Sequence, residues 1–197
     1  MADQYVALVR REFDKRTLVR ERLEVFATMV RGAGPVADLG CGPGHVTSLL
    51  AGLGLDAVGY DVSVGLLAEA RQAFPDLTFS HGDLTNLELP DASLSGIVSR
   101  HSTIHLAPGA LPAAFAEWAR VLEAKAPVFV SFFAAAGPET HGTAFDHAVI
   151  TGYAFAPTTV TAMLAEAGFD EIDVAMRPFR PGERPLDHAL ILARRAG

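Results

Sequence analysis

The feature that most restricts this chain is the run Asp38-Leu39-Gly40-Cys41-Gly42-Pro43-Gly44. It follows a short apolar segment, Pro35 to Leu39, and precedes Val46, Leu49, Leu50 and Leu53, which share one helical face. Strand, glycine loop and helix in that order form the turn at which open α/β sheets hold nucleotide-like ligands. Glycines let the backbone turn sharply and approach a ligand closely. The helix that follows offers unpaired N–H groups to an anion. Asp38, at the strand end, is an acceptor suited to a ligand ammonium group. Asp61, seventeen residues after Gly44, ends a second short apolar run and can accept from both hydroxyls of a ribose.

Spacing separates two ligand classes. Dinucleotide folds use G-x-G-x-x-G, which seats a pyrophosphate on the helix N-terminus. Here the pattern is G-x-G-x-G, and His45 stands where the last dinucleotide glycine belongs. Asp38 would repel a pyrophosphate, whereas a zwitterionic amino-acid tail can use it.

Along the rest of the chain, apolar runs alternate with helical patterns. Ala57–Tyr60, Leu77–Ser80, Leu94–Ser99 and Pro127–Phe133 read as strands. Helical faces precede, separate and follow them: Leu23, Phe26, Ala27, Val30; Val64 to Ala73, with Ser63 as its cap; Leu111, Ala114, Phe115, Trp118, Val121, Leu122; and Val160, Met163, Leu164, Ala167. Two strands, near Ile172–Met176 and Ala189–Ala193, close the chain through a turn-rich link. Alternation predicts a parallel sheet covered by helices, with one closing strand antiparallel. The expected organisation is one domain over 1–197. Residues 1–31 would be a helical cap, and the loop-rich stretch 134–157 a lid loop.

Several motifs together resemble those of class I S-adenosylmethionine-dependent methyltransferases, nearest to small bacterial type-11-like members. Asp38 to Gly44 resembles the first motif and Gly59-Tyr60-Asp61-Val62-Ser63 the ribose motif. His81-Gly82-Asp83-Leu84 resembles the adenine motif, Ile97-Val98-Ser99 through His105-Leu106 the fourth-strand motif, and Arg120-Val121-Leu122 the helix end before strand five. The resemblance spans roughly residues 35 to 195. The chain departs from the family at Ser95-Gly96, where an aspartate is frequent, and at Glu123-Ala124-Lys125-Ala126, where Pro-Gly-Gly is frequent.

What the resemblance implies is an α/β Rossmann-like three-layer sandwich. Its seven-stranded, mostly parallel sheet would have strand order 3-2-1-4-5-7-6, with strand 7 antiparallel. S-adenosylmethionine would be the cofactor and a small-molecule O or N atom the methyl acceptor. Gly40, Gly42 and Gly44 would shape the loop, with Asp38 near the methionine amino group. Asp61, with Val62, would take the ribose, and Asp83 and Leu84 the adenine. Ser99 would contact the methionine end. Two other classes remain open: an NAD(P)-binding oxidoreductase, and a protein that binds S-adenosylmethionine or S-adenosylhomocysteine without catalysis.

His101 and His105 are candidate general bases, since imidazole titrates near neutrality. The equally simple alternative for either is a hydrogen-bonded supporting role. His141, His147 and Tyr153, in the long loop, are candidate substrate contacts. One of Arg10, Arg11, Arg16 and Arg20 could meet the methionine carboxylate if the first helix folds over the cofactor. Phe115 and Trp118 read as core, and Cys41, without a visible base, as packing. With one cysteine and no H-E-x-x-H pattern, no metal is expected. A net charge of −7 disfavours nucleic acid as a partner. The uncharged stretch Ala126–Pro138 is too short to span a bilayer. A cytoplasmic monomer or homodimer acting on a small molecule is the expectation.

Overall fold

A computed structural model describes residues 17–135, 142–146 and 151–197. Its first element, α1 (Leu18–Val30), is capped by Thr17, whose hydroxyl accepts from the Arg20 amide. There follow β1 (Pro35–Leu39), α2 (His45–Gly52), β2 (Asp56–Asp61), α3 (Val64–Ala73), β3 (Thr78–His81) and β4 (Gly96–Arg100). Two 3-10 turns, Thr103–His105 and Pro108–Ala110, lead into α4 (Leu111–Val121) and β5 (Pro127–Phe133). The chain closes with β6 (Thr143–Phe145), β7 (Gly152–Ala154), α5 (Pro157–Glu166), β8 (Phe169–Arg177) and β9 (His188–Arg195).

Seven strands form one sheet in the order β3-β2-β1-β4-β5-β9-β8. β1 to β5 are parallel, and β9 runs antiparallel to both neighbours. The expected strand order and the antiparallel last strand are both present. The closing strands are longer than their apolar centres suggested, because main-chain pairing continues through charged ends such as Asp170 and Arg194.

Alternation along β5 shows how the layers form. Val128, Val130 and Phe132 pack with Phe115, Trp118, Val160 and Leu164 of α4 and α5. Phe129 faces the other way, into Leu23, Phe26 and Val30 of α1 and Leu50 of α2. A strand covered on both faces is expected to be almost wholly apolar, and Ser131 is the one polar residue of β5. The Ser63 hydroxyl caps α3 through the Leu66 amide, as expected. Phe115 and Trp118 are core residues.

The lid segment differs from expectation. Within it, β6 and β7 form an antiparallel ribbon, Thr143 pairing with Ala154 and Phe145 with Gly152. Phe145 explains the pairing, since a side chain on Gly152 would fall 2.5 Å from its ring. The ribbon is tied to the sheet by Phe155, whose amide donates to the Phe133 carbonyl and whose carbonyl accepts from the Ala135 amide. No helix among the described residues is long and apolar enough to cross a membrane.

Candidate functional site

The parallel strands all end on one side, and β1 is the point at which the order reverses. Crevices at such points are where open α/β sheets bind ligands. The glycine loop sits there. Gly40 and Cys41 amides donate to the Tyr60 carbonyl at 2.7 and 3.0 Å, which turns the chain off β1. Gly40 has φ 74°, and a Cβ on it would fall 2.1 Å from Cβ of Ser102. Gly44, at φ 85°, starts α2 under the ring of Phe79. Gly42, at φ 52°, has nothing within 4 Å of an added Cβ, so its face is open. Gly40, Cys41, Gly42, Pro43, His45 and Val46 line a cleft together with Arg100.

Asp61 stands at the tip of β2. Its Oδ2 accepts from the Gly42 amide and its Oδ1 from the Ser63 amide, both at 2.8 Å. Each oxygen keeps a further lone pair, so the carboxylate both braces the loop and can meet a diol. Val62 beside it is 53% exposed. Asp38 is buried, and the Thr47 hydroxyl donates to its Oδ2 at 2.6 Å, which clips α2 to β1. Burial pushes the Asp38 carboxyl up to about 7, against the lowering effect of Thr47.

Ser99 is fully buried. Ser102 Oγ donates to the Leu39 carbonyl at 2.7 Å, so the 2.5 Å contact between the two hydroxyls uses the Ser99 proton. Ser99 therefore supports the loop from beneath. Asp83 is exposed, its Oδ1 accepting from the amide and hydroxyl of Thr85, which hold its carboxyl below the usual range. The Leu84 carbonyl accepts from the buried Trp118 indole at 2.9 Å, which fixes this segment on α4.

His101 follows β4 with φ 53°, and its Nε2 lies 3.0 Å from Nδ1 of His188. His105 ends the first 3-10 turn. Tyr153 lies on β7, stacked near Phe155 at 6.4 Å. The candidate contacts His141 and His147 lie outside the described residues, as do Arg10, Arg11 and Arg16. Arg20 pairs with Glu24 along α1. Cys41 is buried with its thiol pushed up by desolvation, which leaves it a packing role.

Sequence reasoning missed Thr47, Arg100, Ser102, Arg177, Glu183 and His188. Thr47 and Ser102 carry no motif of their own; only the close approach of the loop gives them a role. His188 reaches the site because β9 pairs Phe133 of β5 opposite it.

The sheet order and this loop make a Rossmann-like α/β domain. Residues 36–125 match the family model of the methyltransferase domain. Over 90 residues the chain is 39% identical to the trans-aconitate 2-methyltransferase of Methylobacterium nodulans, covering 44% of this chain and 34% of that enzyme. The chain spans about a third of the length of the curated relatives it matches. A solved S-adenosylmethionine-dependent methyltransferase from Methanosarcina mazei has the same fold, with TM-score 0.69 and 19% identity over 87% of this chain and 97% of that one. Phosphoethanolamine N-methyltransferase 2 of Haemonchus contortus, solved with S-adenosyl-L-methionine, gives TM-score 0.68 and 14% identity over 89% and 53% of the two chains. Residues 36–125 thus match a methyltransferase domain in sequence, and the described residues share the fold of solved S-adenosylmethionine-dependent methyltransferases. The residues present fit that cofactor: an open Gly42, a carboxylate at the β2 tip, and a cation, Arg100, in the cleft.

Proposed function

We propose that this protein binds S-adenosylmethionine at the glycine loop and transfers its methyl group to an O or N atom of a small molecule. The observation that carries this reading is the Asp61 carboxylate, bound to the Gly42 amide and poised over the loop. Asp38, Gly40, Gly42, Gly44, Asp61, Val62, Asp83 and Leu84 form the cofactor side, with Ser99 supporting the loop. His101 is the residue chosen as general base on the acceptor side, at the end of β4. His105 stands beside it in the following turn.

The cofactor supplies a methyl group already activated on a sulfonium. What remains for the chain is alignment and the exclusion of water, which in well-oriented systems lower a barrier by roughly 7–11 kcal/mol. The β6–β7 ribbon serves as a lid, together with Tyr153. Support comes from Phe145, whose ring lies 5.4 Å from that of Phe133 beside His101. The net charge of −7 supports a small acceptor rather than a nucleic acid. The protein acts in the cytoplasm as a monomer or homodimer.

Calorimetry with S-adenosylhomocysteine and with NADH tests the cofactor, and only the former is expected to bind. Mass spectrometry of a metabolite panel incubated with S-adenosylmethionine tests transfer. Trans-aconitate comes first because a relative of similar sequence in this region methylates it. Binding without any methylated product across the panel would favour a non-catalytic role.

A further inference from the structure

Four side chains from separated parts of the sequence converge where β4, β5, β9 and β8 end. The His101 amide donates to the Ser131 carbonyl at 2.8 Å, which holds the residue in its left-handed conformation. Its ring lies 4.6 Å from that of Phe133 and 4.9 Å from that of His188. His188 opens β9, and its Nδ1 is 3.0 Å from His101 Nε2. Glu183, in the β8–β9 link, accepts from Arg177 Nη1 at 2.8 Å and from the Arg180 amide at 3.0 Å. The same Glu183 oxygen lies 3.8 Å from His188 Nε2.

Either ring could donate across the 3.0 Å contact, and Glu183 biases which one does. Glu183 favours a proton on His188 Nε2, because a bare ring nitrogen would turn its lone pair towards a carboxylate. His188 Nδ1 then has only a lone pair, so the 3.0 Å bond must be donated by His101 Nε2–H. His101 Nδ1 is left bare. It is buried and has no hydrogen-bond partner among the described residues.

We propose that Glu183 and His188 are positioning residues that hold His101 in its Nε2–H tautomer, which leaves Nδ1 as the ring nitrogen able to act as a base. The inference rests on the methyl-transfer reading. The acceptor's O–H or N–H proton passes to His101 Nδ1 as its electron pair forms the new bond to the methyl carbon. The electron pair of the breaking S–C bond stays on sulfur. The proton on His101 Nε2 can move to His188 Nδ1, which places the positive charge opposite Glu183. Burial keeps both rings neutral at physiological pH. It holds His101 well below the usual imidazole value, and His188 at about 4. The charged and titratable groups around the pair are Arg100 and His105 near His101, and Arg177, Glu183 and Asp187 near His188. Arg100 and Arg177 oppose a resident imidazolium, so the charge is held only during transfer.

The test is 15N NMR of histidine rings in the full chain, which needs neither cofactor nor acceptor. At neutral pH both His101 and His188 are expected to show a protonated Nε2 and a bare Nδ1. A His101 proton on Nδ1 would overturn the proposal, whatever ligand the protein binds. In Glu183→Gln, folded by its melting curve and with unchanged S-adenosylhomocysteine affinity, the Nδ1–H tautomer should become measurable for both rings. Unchanged tautomers in that variant would remove Glu183 from the device. The wild-type spectrum decides the case if the variant does not fold. Loss of S-adenosylhomocysteine binding in the wild type would instead strike the methyl-transfer reading alone.

Discussion

The Gly42 amide donates to Asp61 Oδ2 at 2.8 Å, joining the middle of the glycine loop to the tip of β2. One carboxylate thus holds the loop to the start of the next turn, through the Gly42 and Ser63 amides. Asp61→Ala should weaken S-adenosylhomocysteine binding by roughly tenfold to hundredfold, since bonds to a charged group contribute about 1.5–3 kcal/mol. Calorimetry of the folded variant measures this. Unchanged affinity would rule out the ribose role.

Gly40→Ala should destabilise the fold by about 1–3 kcal/mol, the usual cost of overpacking. The added methyl would meet Ser102 Cβ at 2.1 Å, and φ is 74°. Ser102→Gly removes that obstacle. The double variant should therefore melt at a higher temperature than additive single effects allow. Strict additivity would mean that backbone strain, not Ser102, sets the cost.

The Asp38 carboxyl is raised from 3.8 to about 7 by burial, so the folded state prefers it protonated. Its ionisation costs stability on the order of 4 kcal/mol above pH 7. The cost is absent below about pH 4 and grows between those limits. Asp38→Asn should stabilise the free protein at pH 8 and change little at pH 4. Ligand ammonium prefers the ionised form, so S-adenosylhomocysteine affinity in the wild type should fall as pH drops below 7. Denaturation and calorimetry across that range check both signs.

His188 has the opposite linkage. Its folded value of about 4 lies below the ordinary 6.5, so folding favours the neutral ring. That contribution is complete above pH 6.5, declines as pH falls, and is gone below about 4. His188→Gln should flatten the acid limb of the stability profile over that window. An unaltered limb would show that His188 protonates without penalty.

Tyr153→Ala should lower acceptor turnover far more than cofactor affinity, if the ribbon closes over the acceptor. Amide exchange in residues 142–146 and 151–155 should slow when cofactor and acceptor are both bound. Equal exchange in free and ternary states, with normal turnover of the variant, would leave the ribbon a packing role.

Three things were legible in the order of residues: the alternation of strands and helices, the glycine loop at the β1–α2 turn and Asp61 at the next strand end. Each of these is written in local spacing: period 2, period 3.6, and glycines where φ must be positive. Ser63 as a helix cap and Trp118 as core were legible for the same reason. The ribbon in the lid segment was not, because strands of three residues leave no period to read. Only in the folded chain does Ser99 support the loop through Ser102, Thr47 hold Asp38, His188 reach His101, and Glu183 lie near His188. Those partners lie from 3 to 87 residues apart in the chain. Their meeting depends on strand register and on how closely the loop approaches its neighbours, and neither leaves a local pattern.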